Sequence, residues 1–568
     1  MEYFILADTY EKLERTSGKL EKVNILAELF SKISTKELPK VVLLAQGIVF
    51  PKFTGFELGI ATQMMIKAIA KATGFKPKEI EEKFKETGDL GLVTENYLKK
   101  KRQVVLFRKK MNVDMIFSNL QKLAFVTGVG SQERKLSLIT ELLVSAEPKE
   151  ARYIVRTVLG ELRIGVAEGI IRDAIVNAFL FKKRMSKEEK NRLTGLVEHA
   201  WNILPDFGEI VKISKEKGTT GLKKVKVQLG KPMHMMLAEK AESIEDVIEE
   251  FGKCAIEIKY DGMRVEVEKQ GDKIFIFTRR LENVTKQFPD LVDLCKKNLR
   301  AKECIVEGEV WGINSKTHFP LPFQQLSQRI HRKYDIEKMA KEIPIQVNFF
   351  DVVYLNGKML FDKKFRERRK ILEKIVREVP GKFKLADQLV TDNIEKAKKF
   401  YNNALELKQE GVIIKVLDSG YVFGRHVRGW YKIKPIMETL DLVIVGAEWG
   451  TGKRVNWLSS YILACRDQDT GKFLPCGMMG TGLTEEQFGQ MTNSLKQLII
   501  TEKGRNVKLK PKIVVEVAYQ EIQKSPHYES GMALRFPRLI RVREDKSPEE
   551  SDTIERVKEL FISQGQKG

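Results

Sequence analysis

The sequence predicts a multidomain protein with an all-helical N-terminal region, a central α+β region with antiparallel sheets and a C-terminal β-barrel. Its 568 residues exceed the usual size of one domain. Apolar residues recur at spacings of three and four up to about residue 218, which predicts helices. Beyond residue 222 short runs alternate apolar and polar residues, and after Pro435 such runs dominate. We place the domains at 1–220, 221–430 and 431–568.

The charge of the chain points to a polyanionic partner. Lys and Arg number 100 against 77 Asp and Glu, which gives a formal net charge of +23. Nucleic acid is the first candidate, although ribosome-associated and membrane-surface proteins have the same balance. The five cysteines form no CxxC pair, which excludes a zinc ribbon and a dithiol redox site. These scattered cysteines, without a signal-peptide pattern or an apolar run of about 18 residues, predict a soluble intracellular protein.

One segment of the helical region has the features of a phosphate site. Residues 160–168 end one helical pattern and begin another, with two glycines around Arg163. Backbone N–H groups at a new helix start, next to an arginine, can hold a phosphate. An ordinary corner between two helices is the alternative interpretation. After this region the polar segment Ser214–Gly221 predicts a linker to the next domain.

The central region begins with a strand that ends in a lysine. Because side chains alternate along a strand, Glu257 and Lys259 share one face, whereas Ile258 points into a core. Gly262 follows and suits a tight turn, since glycine adopts backbone conformations that other residues avoid. A lysine held beside carboxylates can act as an amine nucleophile towards a phosphate or a carbonyl. A charged strand face in water is the alternative.

Further strands of the central region carry acids or cations on one face. Glu307 and Glu309 alternate on one predicted strand, and Glu410 stands at the mouth of a buried apolar strand. Solvated acids on an edge strand explain such a pattern, but Mg²⁺ also prefers one or two carboxylates together with phosphate oxygens. Lys432 and Lys434 share a strand face that is suited to phosphate oxygens.

Arginines mark two more segments. Arg279 and Arg280 follow a predicted strand, and guanidinium groups grip phosphates in a bidentate way. Residues 535–543 hold four arginines that are interleaved with apolar residues. A simple basic patch is one interpretation of the latter, whereas the apolar residues favour a structured segment that orients the arginines.

Seven segments follow one another in an order that is found in a known family. They are Lys259-Tyr260-Asp261-Gly262-Met263-Arg264, Thr278-Arg279-Arg280-Leu281-Glu282, Val306-Glu307-Gly308-Glu309, Phe350-Asp351, Glu410-Gly411, Lys432-Ile433-Lys434 and residues 535–546. With them the chain resembles the archaeal and eukaryotic type of ATP-dependent DNA ligase over nearly its whole length. The family often has asparagine where Arg280 stands, so only Arg279 is carried over. These ligases are nucleotidyltransferases that form a covalent lysine–nucleotide adduct.

The resemblance implies a role for each matching residue. Lys259 is expected to be the adenylated lysine, with Glu257 reading the adenine amino group and Phe350 stacking on the adenine ring. Glu309 and Glu410 are expected to position a divalent metal. The other expected nucleotide contacts are Arg264, Arg279, Glu309, Lys432, Lys434 and Arg538.

The resemblance also implies the activity and the partners. Such an enzyme seals nicks in duplex DNA in replication, repair and recombination, with ATP and Mg²⁺ or Mn²⁺ as cofactors. The three domains would be a helical DNA-binding domain, an adenylation domain and an OB-fold barrel. Expected DNA contacts are Arg163 and Gly165, in a segment that resembles part of the family's DNA-binding domain, and Arg541. The enzyme is expected to be a monomer of the cytoplasm that works on the nucleoid.

A partner peptide is expected in the helical region. Residues 103–107 lie where archaeal ligases carry a peptide that binds a PCNA-type sliding clamp. Gln103 and Phe107 match that peptide, whereas Leu106 stands where a second aromatic residue is common. A short apolar turn packed into the domain is the alternative.

Other classes of protein fit the sequence less well. NAD-dependent ligases carry a four-cysteine zinc module and an extra N-terminal nucleotide domain, neither of which is evident here. Residues 446–454 lack the glycine spacing and the terminal Ser or Thr of a P-loop. The large helical region and the 535–546 segment argue against a capping guanylyltransferase or an RNA ligase. A non-catalytic DNA-binding scaffold is disfavoured because Lys259 and its acidic and basic partners are all present.

Overall fold

The computed structural model divides the chain into two compact units, Met1–Ile433 and Lys434–Gly568. The structure describes all residues except 101–109, 183, 315–316, 318, 322, 331, 333, 408, 425–427, 436–437, 451–453, 455 and 564–568. The expected clamp peptide, with Gln103, Leu106 and Phe107, therefore lies outside the described residues. In the part of the chain that is described, every helix is too short or too polar to cross a membrane.

The first part of the larger unit is helical, which confirms the prediction from apolar spacing. Its helices are α1 Tyr3–Arg15, α2 Lys19–Lys32, α3 Leu38–Ala45, α4 Thr62–Thr73, α5 Pro77–Thr87, α6 Leu90–Lys99, α7 Val113–Phe125, α8 Ser131–Ser145, α9 Pro148–Val158, α10 Glu168–Ile175, α11 Lys187–Ile203 and α12 Phe207–Lys223. The periodic residues of α1, such as Tyr3, Tyr10 and Leu13, are fully buried in one core. Polar caps begin some helices, as where Asp89 accepts hydrogen bonds from the first amides of α6.

The predicted linker Ser214–Gly221 is wrong, because α12 runs through it. The helix is interrupted only at Gly218, which has φ 54° and ψ −147°. Apolar residues on both sides of this point, including Val211 and Leu222, are buried in the helical core. Their burial outweighs the polar composition of the segment.

The second part of the larger unit contains two mostly antiparallel sheets, as predicted. Its elements are β1 Glu239–Lys240, α13 Ile244–Phe251, β2 Cys254–Lys259, β3 Met263–Gln270, β4 Lys273–Thr278, α14 Pro289–Asn298, β5 Glu303–Gly312, α15 Phe323–Ile330, α16 Ile336–Glu342, β6 Ile345–Leu355, β7 Lys358–Met359, α17 Phe365–Ile375, β8 Phe383–Leu385, β9 Gln388–Thr391, α18 Ile394–Glu406, β10 Gly411–Val416 and β11 Trp430–Ile433. The first sheet has the order β1-β11-β10-β2-β9. The second has the order β4-β3-β5-β6-β7, with β8 beside β6.

The strand register places charged residues of each sheet on one face. In the first sheet Glu257 lies opposite Ile413, which lies opposite Lys432, so these side chains share a face with Lys259. The other face is apolar and joins α13 and α18 in a separate core. In the second sheet Arg264 of β3 lies opposite Glu309 of β5.

The smaller unit is rich in strands, which confirms the predicted class of the C-terminal region. Its elements are β12 Leu440–Trp449, β13 Leu458–Arg466, β14 Phe473–Met479, α19 Glu485–Lys496, β15 Ile499–Lys503, β16 Asn506–Leu509, β17 Val514–Ala518, β18 Glu521–Lys524, β19 Met532–Arg535, β20 Arg538–Val542 and α20 Ile554–Ser563. Strand β12 is central, because it pairs with β13, β16 and β17. The sequence did not predict α19. A capping box between Thr484 and Gln487 begins this helix, and Phe488 and Leu495 anchor it in the core.

Two buried glutamates of β3 give the larger unit a testable pH dependence. Glu266 accepts a hydrogen bond from Met233 N–H at 3.1 Å, and Glu268 accepts one from Gly230 N–H. Burial raises the pKa of both carboxyls, and the Glu268 carboxylate raises that of Glu266 further. The folded chain therefore retains a proton that the unfolded chain releases above its ordinary pKa of 4.5. The resulting stability is present at low pH and is lost as the pH rises.

Replacing Glu266 by glutamine is expected to remove the part of this pH dependence that comes from Glu266 and to leave the part that comes from Glu268. Relative to the variant, the free energy of unfolding of the parent should fall by about 1.4 kcal/mol per pH unit above pH 5, since one proton is released on unfolding. Urea unfolding at four pH values between about 5 and 8 measures this difference. The exposed Glu216→Gln is the matched control, with no pH-dependent difference expected. Parallel curves for the parent and Glu266→Gln would contradict the raised pKa of Glu266.

Candidate active site

Lys259 is the last residue of β2, and its ammonium forms an ion pair with Glu410. Lys259 Nζ lies 2.8 Å from Glu410 Oε2, and the two side chains are 21% and 26% exposed. The backbone joins the same residues, because Glu410 N–H donates to the Lys259 carbonyl oxygen at 3.0 Å. The lysine and the glutamate therefore stand together at the end of the first sheet, where a ligand can reach them.

Gly262 allows the turn after β2 to approach the second sheet closely. The expectation of a special backbone conformation is wrong, since Gly262 does not lie in the left-handed region. A β-carbon at this position would instead overlap the Val310 carbonyl oxygen and stand 3.0 Å from Glu309 Cγ. The glycine is needed for the close approach of this turn to β5 beside Lys259.

Glu309 is a partly buried acid with both positively and negatively charged side chains near it. Burial raises the pKa of its carboxyl to about 8, whereas Lys259 and Arg264 act in the opposite direction and Glu410 and Asp261 add to the rise. An added cation favours the ionised form of a carboxyl in such a place. The donor set near Lys259 therefore fits a divalent cation that also binds the phosphates of a ligand.

Arg264 is held rigidly by a buried acid. Its Nη1 donates to the Met236 carbonyl oxygen at 2.7 Å, and its Nη2 donates to Glu307 at 2.8 Å. The Tyr421 hydroxyl donates to the other oxygen of Glu307 at 2.6 Å. Glu307, which alternates with Glu309 in the sequence, is fully buried and orients the arginine.

Glu257 lies in a buried group of donors that sequence reasoning did not find. Its Oε2 is 2.6 Å from Lys415 Nζ, and its Oε1 accepts a hydrogen bond from Gln388 at 2.8 Å. Arg369 Nη1 stands 3.5 Å from the same Oε1. The signal for Lys415 was a lone cation in the otherwise apolar strand β10. The carboxylate is therefore fixed in one orientation on the face of the sheet that carries Lys259.

Phe350 lies beside the same buried group, between two cations and a tryptophan. Its ring centroid is 4.5 Å from Lys415 Nζ and 5.3 Å from Arg264 Cζ. The Trp430 ring packs edge-on, with centroids 5.9 Å apart. This group of residues thus combines an aromatic ring with a carboxylate, a combination that suits a flat base with an amino group.

The predicted phosphate-binding lysines differ in their positions. Lys432 lies on β11 on the same face as Glu257 and Lys259. Lys434 follows the end of that strand, is exposed and is the first residue of the smaller unit. Lys432 therefore belongs to the cluster around Lys259, and the role of Lys434 stays a prediction.

Arg279 lies at a different place in the larger unit. It lines a cavity of about 760 Å³ together with Lys52, Trp201 and His234 of the helical and connecting segments. Among the described residues that line this cavity, none belongs to the cluster around Lys259. The structure thus places Arg279 between the helical part and the second sheet.

The predicted DNA contacts of the helical region lie on a braced loop. The loop enters α10, and its residues Arg163 and Gly165 have φ values of 59° and 64°. Lys22 Nζ donates to the Ile164 carbonyl oxygen at 2.6 Å and to that of Gly165 at 3.3 Å. Arg163 forms ion pairs with Glu161 and, at 3.7 Å, with Asp89. The loop therefore has a fixed shape at the start of a helix.

In the smaller unit both predicted arginines lie on β20. Arg538 is exposed, and its Cα pairs with Ala518 of β17. Arg541 Nε lies 2.7 Å from Glu516, with 63% of the arginine side chain exposed. Both guanidinium groups are therefore accessible to a ligand of this unit.

Three family models match the chain. The one described as DNA ligase N terminus matches residues 2–176, the ATP dependent DNA ligase domain matches 235–434, and the ATP dependent DNA ligase C terminal region matches 454–546. The chain belongs to the ATP-dependent DNA ligases. The match of the central model covers Lys259, Glu309, Glu410 and their neighbours, and the family named from the sequence motifs is confirmed.

Several relatives of this ligase are archaeal. It is 46% identical to the DNA ligase of Thermococcus onnurineus, over 99% of this chain and 98% of the relative. It is also 46% identical to the DNA ligase of Nanoarchaeum equitans, over 99% of each chain. The DNA ligase of Archaeoglobus fulgidus is 44% identical, over 98% of this chain and 97% of the relative. A solved structure named Pmar-Lig_PreS3 is similar in fold, with a TM-score of 0.57, 17% identity and coverage of 95% of this chain and 99% of that one.

Proposed function

We propose that this ATP-dependent DNA ligase forms its covalent intermediate on Lys259. The supporting observation is the accessible Lys259–Glu410 pair, with Nζ and Oε2 2.8 Å apart beside Glu309. An amine attacks phosphorus only without its extra proton, and the Glu410 carboxylate is positioned to accept that proton. Nζ then bonds to the α-phosphorus of ATP, and the bond from that phosphorus to the leaving pyrophosphate oxygen breaks.

Two further transfers complete the sealing of a nick. The 5′-phosphate of the nick attacks the phosphorus of the lysine adduct, so that AMP moves to the DNA and the lysine amine is released. The 3′-hydroxyl then attacks the DNA 5′-phosphorus, and AMP leaves as the phosphodiester forms. Each transfer depends on orientation and neutralised charge, for which Arg264 of β3 and Lys432 of β11 supply cations.

A divalent metal fits this site through Glu309 and Glu410. In the described part of the chain no group of three His, Cys, Asp or Glu side chains gathers as a metal site. Mg²⁺ commonly takes one or two carboxylates and completes its coordination with substrate phosphates and water. When bound, Mg²⁺ or Mn²⁺ would neutralise phosphate charge, and Glu309, whose carboxyl pKa is raised by burial, would ionise beside it.

The adenine base is assigned to the pocket of Phe350 and Glu257. Stacking on Phe350 does not distinguish one purine from another. A carboxylate, in contrast, distinguishes a hydrogen-bond donor on the base from an acceptor. Glu257 therefore selects adenine, which has an amino group at position six. This assignment makes ATP the substrate and disfavours the GTP of capping enzymes.

DNA contacts are assigned to two places. The braced loop of Arg163 and Gly165 presents helix-start N–H groups suited to backbone phosphates. Arg541 on the smaller unit supplies an accessible guanidinium.

Arg538 and Lys434 are assigned to the pyrophosphate side of ATP, and Arg279 to phosphate binding in its cavity. The functional division at 1–220, 221–430 and 431–568 is part of the same proposal.

Partners beyond DNA belong to the proposal as well. Residues Gln103, Leu106 and Phe107 would bind a PCNA-type clamp, and loss of clamp pull-down on replacing Gln103 and Phe107 would test this. The ligase would act as a monomer on the nucleoid in the cytoplasm.

Transfer of label from ATP tests the central proposal. The purified ligase, cleared of bound AMP with pyrophosphate, is incubated with Mg²⁺ and α-labelled ATP, GTP or adenylate-labelled NAD. Label is expected on the protein from ATP, and it should move to a nicked duplex but not to an intact one. Label from GTP would indicate a capping-type enzyme, and no protein label from any nucleotide would contradict the covalent mechanism.

A further inference from the structure

Lys415 is a buried cation for which the three transfers described above have no use. Its side chain is 1% exposed, on the fifth residue of β10. Its Nζ lies 4.1 Å from the Trp430 ring centroid, 4.5 Å from that of Phe350 and 4.7 Å from that of Phe365. Burial lowers the pKa of Lys415, and Glu257 and Asp351 oppose this effect. Removing an ammonium group from water costs free energy. A buried Lys415 therefore needs an anionic partner close by.

That partner is Glu257, whose side chain is 3% exposed. The Lys415 ammonium stands 2.6 Å from Glu257 Oε2, and it also donates to the Phe350 carbonyl oxygen at 3.4 Å. Lys415 therefore contacts both Glu257, the acid assigned to the base, and β6, the strand that carries Phe350. Gln388 and Arg369 complete the orientation of the carboxylate from β9 and α17.

The chemistry of purines makes this ion pair selective. Adenine presents a hydrogen-bond donor at position six, whereas guanine and hypoxanthine present an acceptor oxygen. An ionised carboxylate accepts from the first and repels the second, but a protonated carboxyl can donate to the second. Burial disfavours the ionised form unless a cation pairs with it.

We propose that Lys415 is a positioning residue for base selection, which pairs with the Glu257 carboxylate and orients it towards position six of the purine of the nucleotide. This inference rests on the proposed adenine pocket. Lys415 does not touch the reacting phosphates, so its removal should affect the choice and affinity of the nucleotide more than the rate of transfer at saturation.

Lys415→Met tests the inference, because methionine keeps much of the length of the side chain and removes its charge. The measured quantity is the rate of protein labelling by ATP and by inosine triphosphate, which has oxygen at position six without the two-amino group of guanine. The ratio of kcat/KM for ATP to that for inosine triphosphate should fall at least about tenfold, mainly through a higher KM for ATP. An unchanged ratio in a folded variant, checked by circular dichroism, would overturn the proposal.

Two further variants keep the result interpretable. Lys399→Met replaces an exposed lysine of α18, and its ratio should equal that of the parent. If Lys415→Met does not fold because Glu257 has lost its nearest cation, Glu257→Gln/Lys415→Met removes both charges and should have lost the preference for ATP. A retained preference in this double variant would overturn the proposal. Parent protein that takes no label from ATP would instead overturn the proposed function itself.

Discussion

Lys259→Ala is expected to abolish transfer of label from ATP to the ligase, by at least about 10⁴-fold. In the structure the Lys259 amine is 2.8 Å from Glu410 and stands on the face that carries Glu257 and Lys432. Alanine removes the attacking atom and leaves the strand pairing of β2 intact. Nick sealing with ATP should be lost to the same extent, measured by gel electrophoresis of a labelled nicked duplex.

Three comparisons sharpen this result. Lys259→Arg keeps the positive charge beside Glu410 but cannot supply an unprotonated amine, so it should be as inactive as the alanine variant. Lys253→Ala, at an exposed position just before the same strand, should be labelled like the parent. A nick that already carries AMP on its 5′-phosphate should still be sealed measurably by Lys259→Ala. A stable adduct on Lys259→Ala would show that another residue is the nucleophile.

Gly262→Ala is expected to lower the rate of adduct formation by about 10²-fold or more. The added methyl group would overlap the Val310 carbonyl oxygen and press on Glu309 Cγ at 3.0 Å. Backbone atoms cannot move aside as a flexible side chain can, so the turn after β2 must shift away from β5. Displacement of reacting groups by about 1 Å can cost a factor of 10². Rapid-quench labelling by ATP measures the rate.

The same substitution elsewhere provides the control for Gly262→Ala. Gly195 lies within α11, where a β-carbon would meet no atom within 4 Å. Gly195→Ala should therefore leave labelling unchanged and stabilise the helix slightly. Labelling of Gly262→Ala at the parental rate would mean that the approach of the turn to Val310 is not needed for the reaction.

Much of the fold and part of the site could be predicted because their signals are local. The helices of the first part could be predicted from the spacing of apolar residues such as Tyr3, Tyr10 and Leu13. These residues form one buried stripe along a single helix, so the pattern is visible in the local sequence. Alternation placed Glu257 and Lys259 on one face of a strand, and the register confirms that arrangement. Local polarity misled the prediction for Ser214–Gly221, where burial of neighbouring apolar residues maintains helical segments on both sides of a kink at Gly218.

The sequence by itself determined the family, the order of the motifs, the strand of Lys259 and the class of each region, since each depends on residue types at short spacing. The tertiary structure alone decided that Lys415 pairs with Glu257, that Gly262 is needed for close approach to Val310, and that Arg279 lies in a separate cavity. These features join residues of different strands, and the pairing of those strands depends on the packing of the whole unit. A short spacing in the sequence carries no information about such pairs.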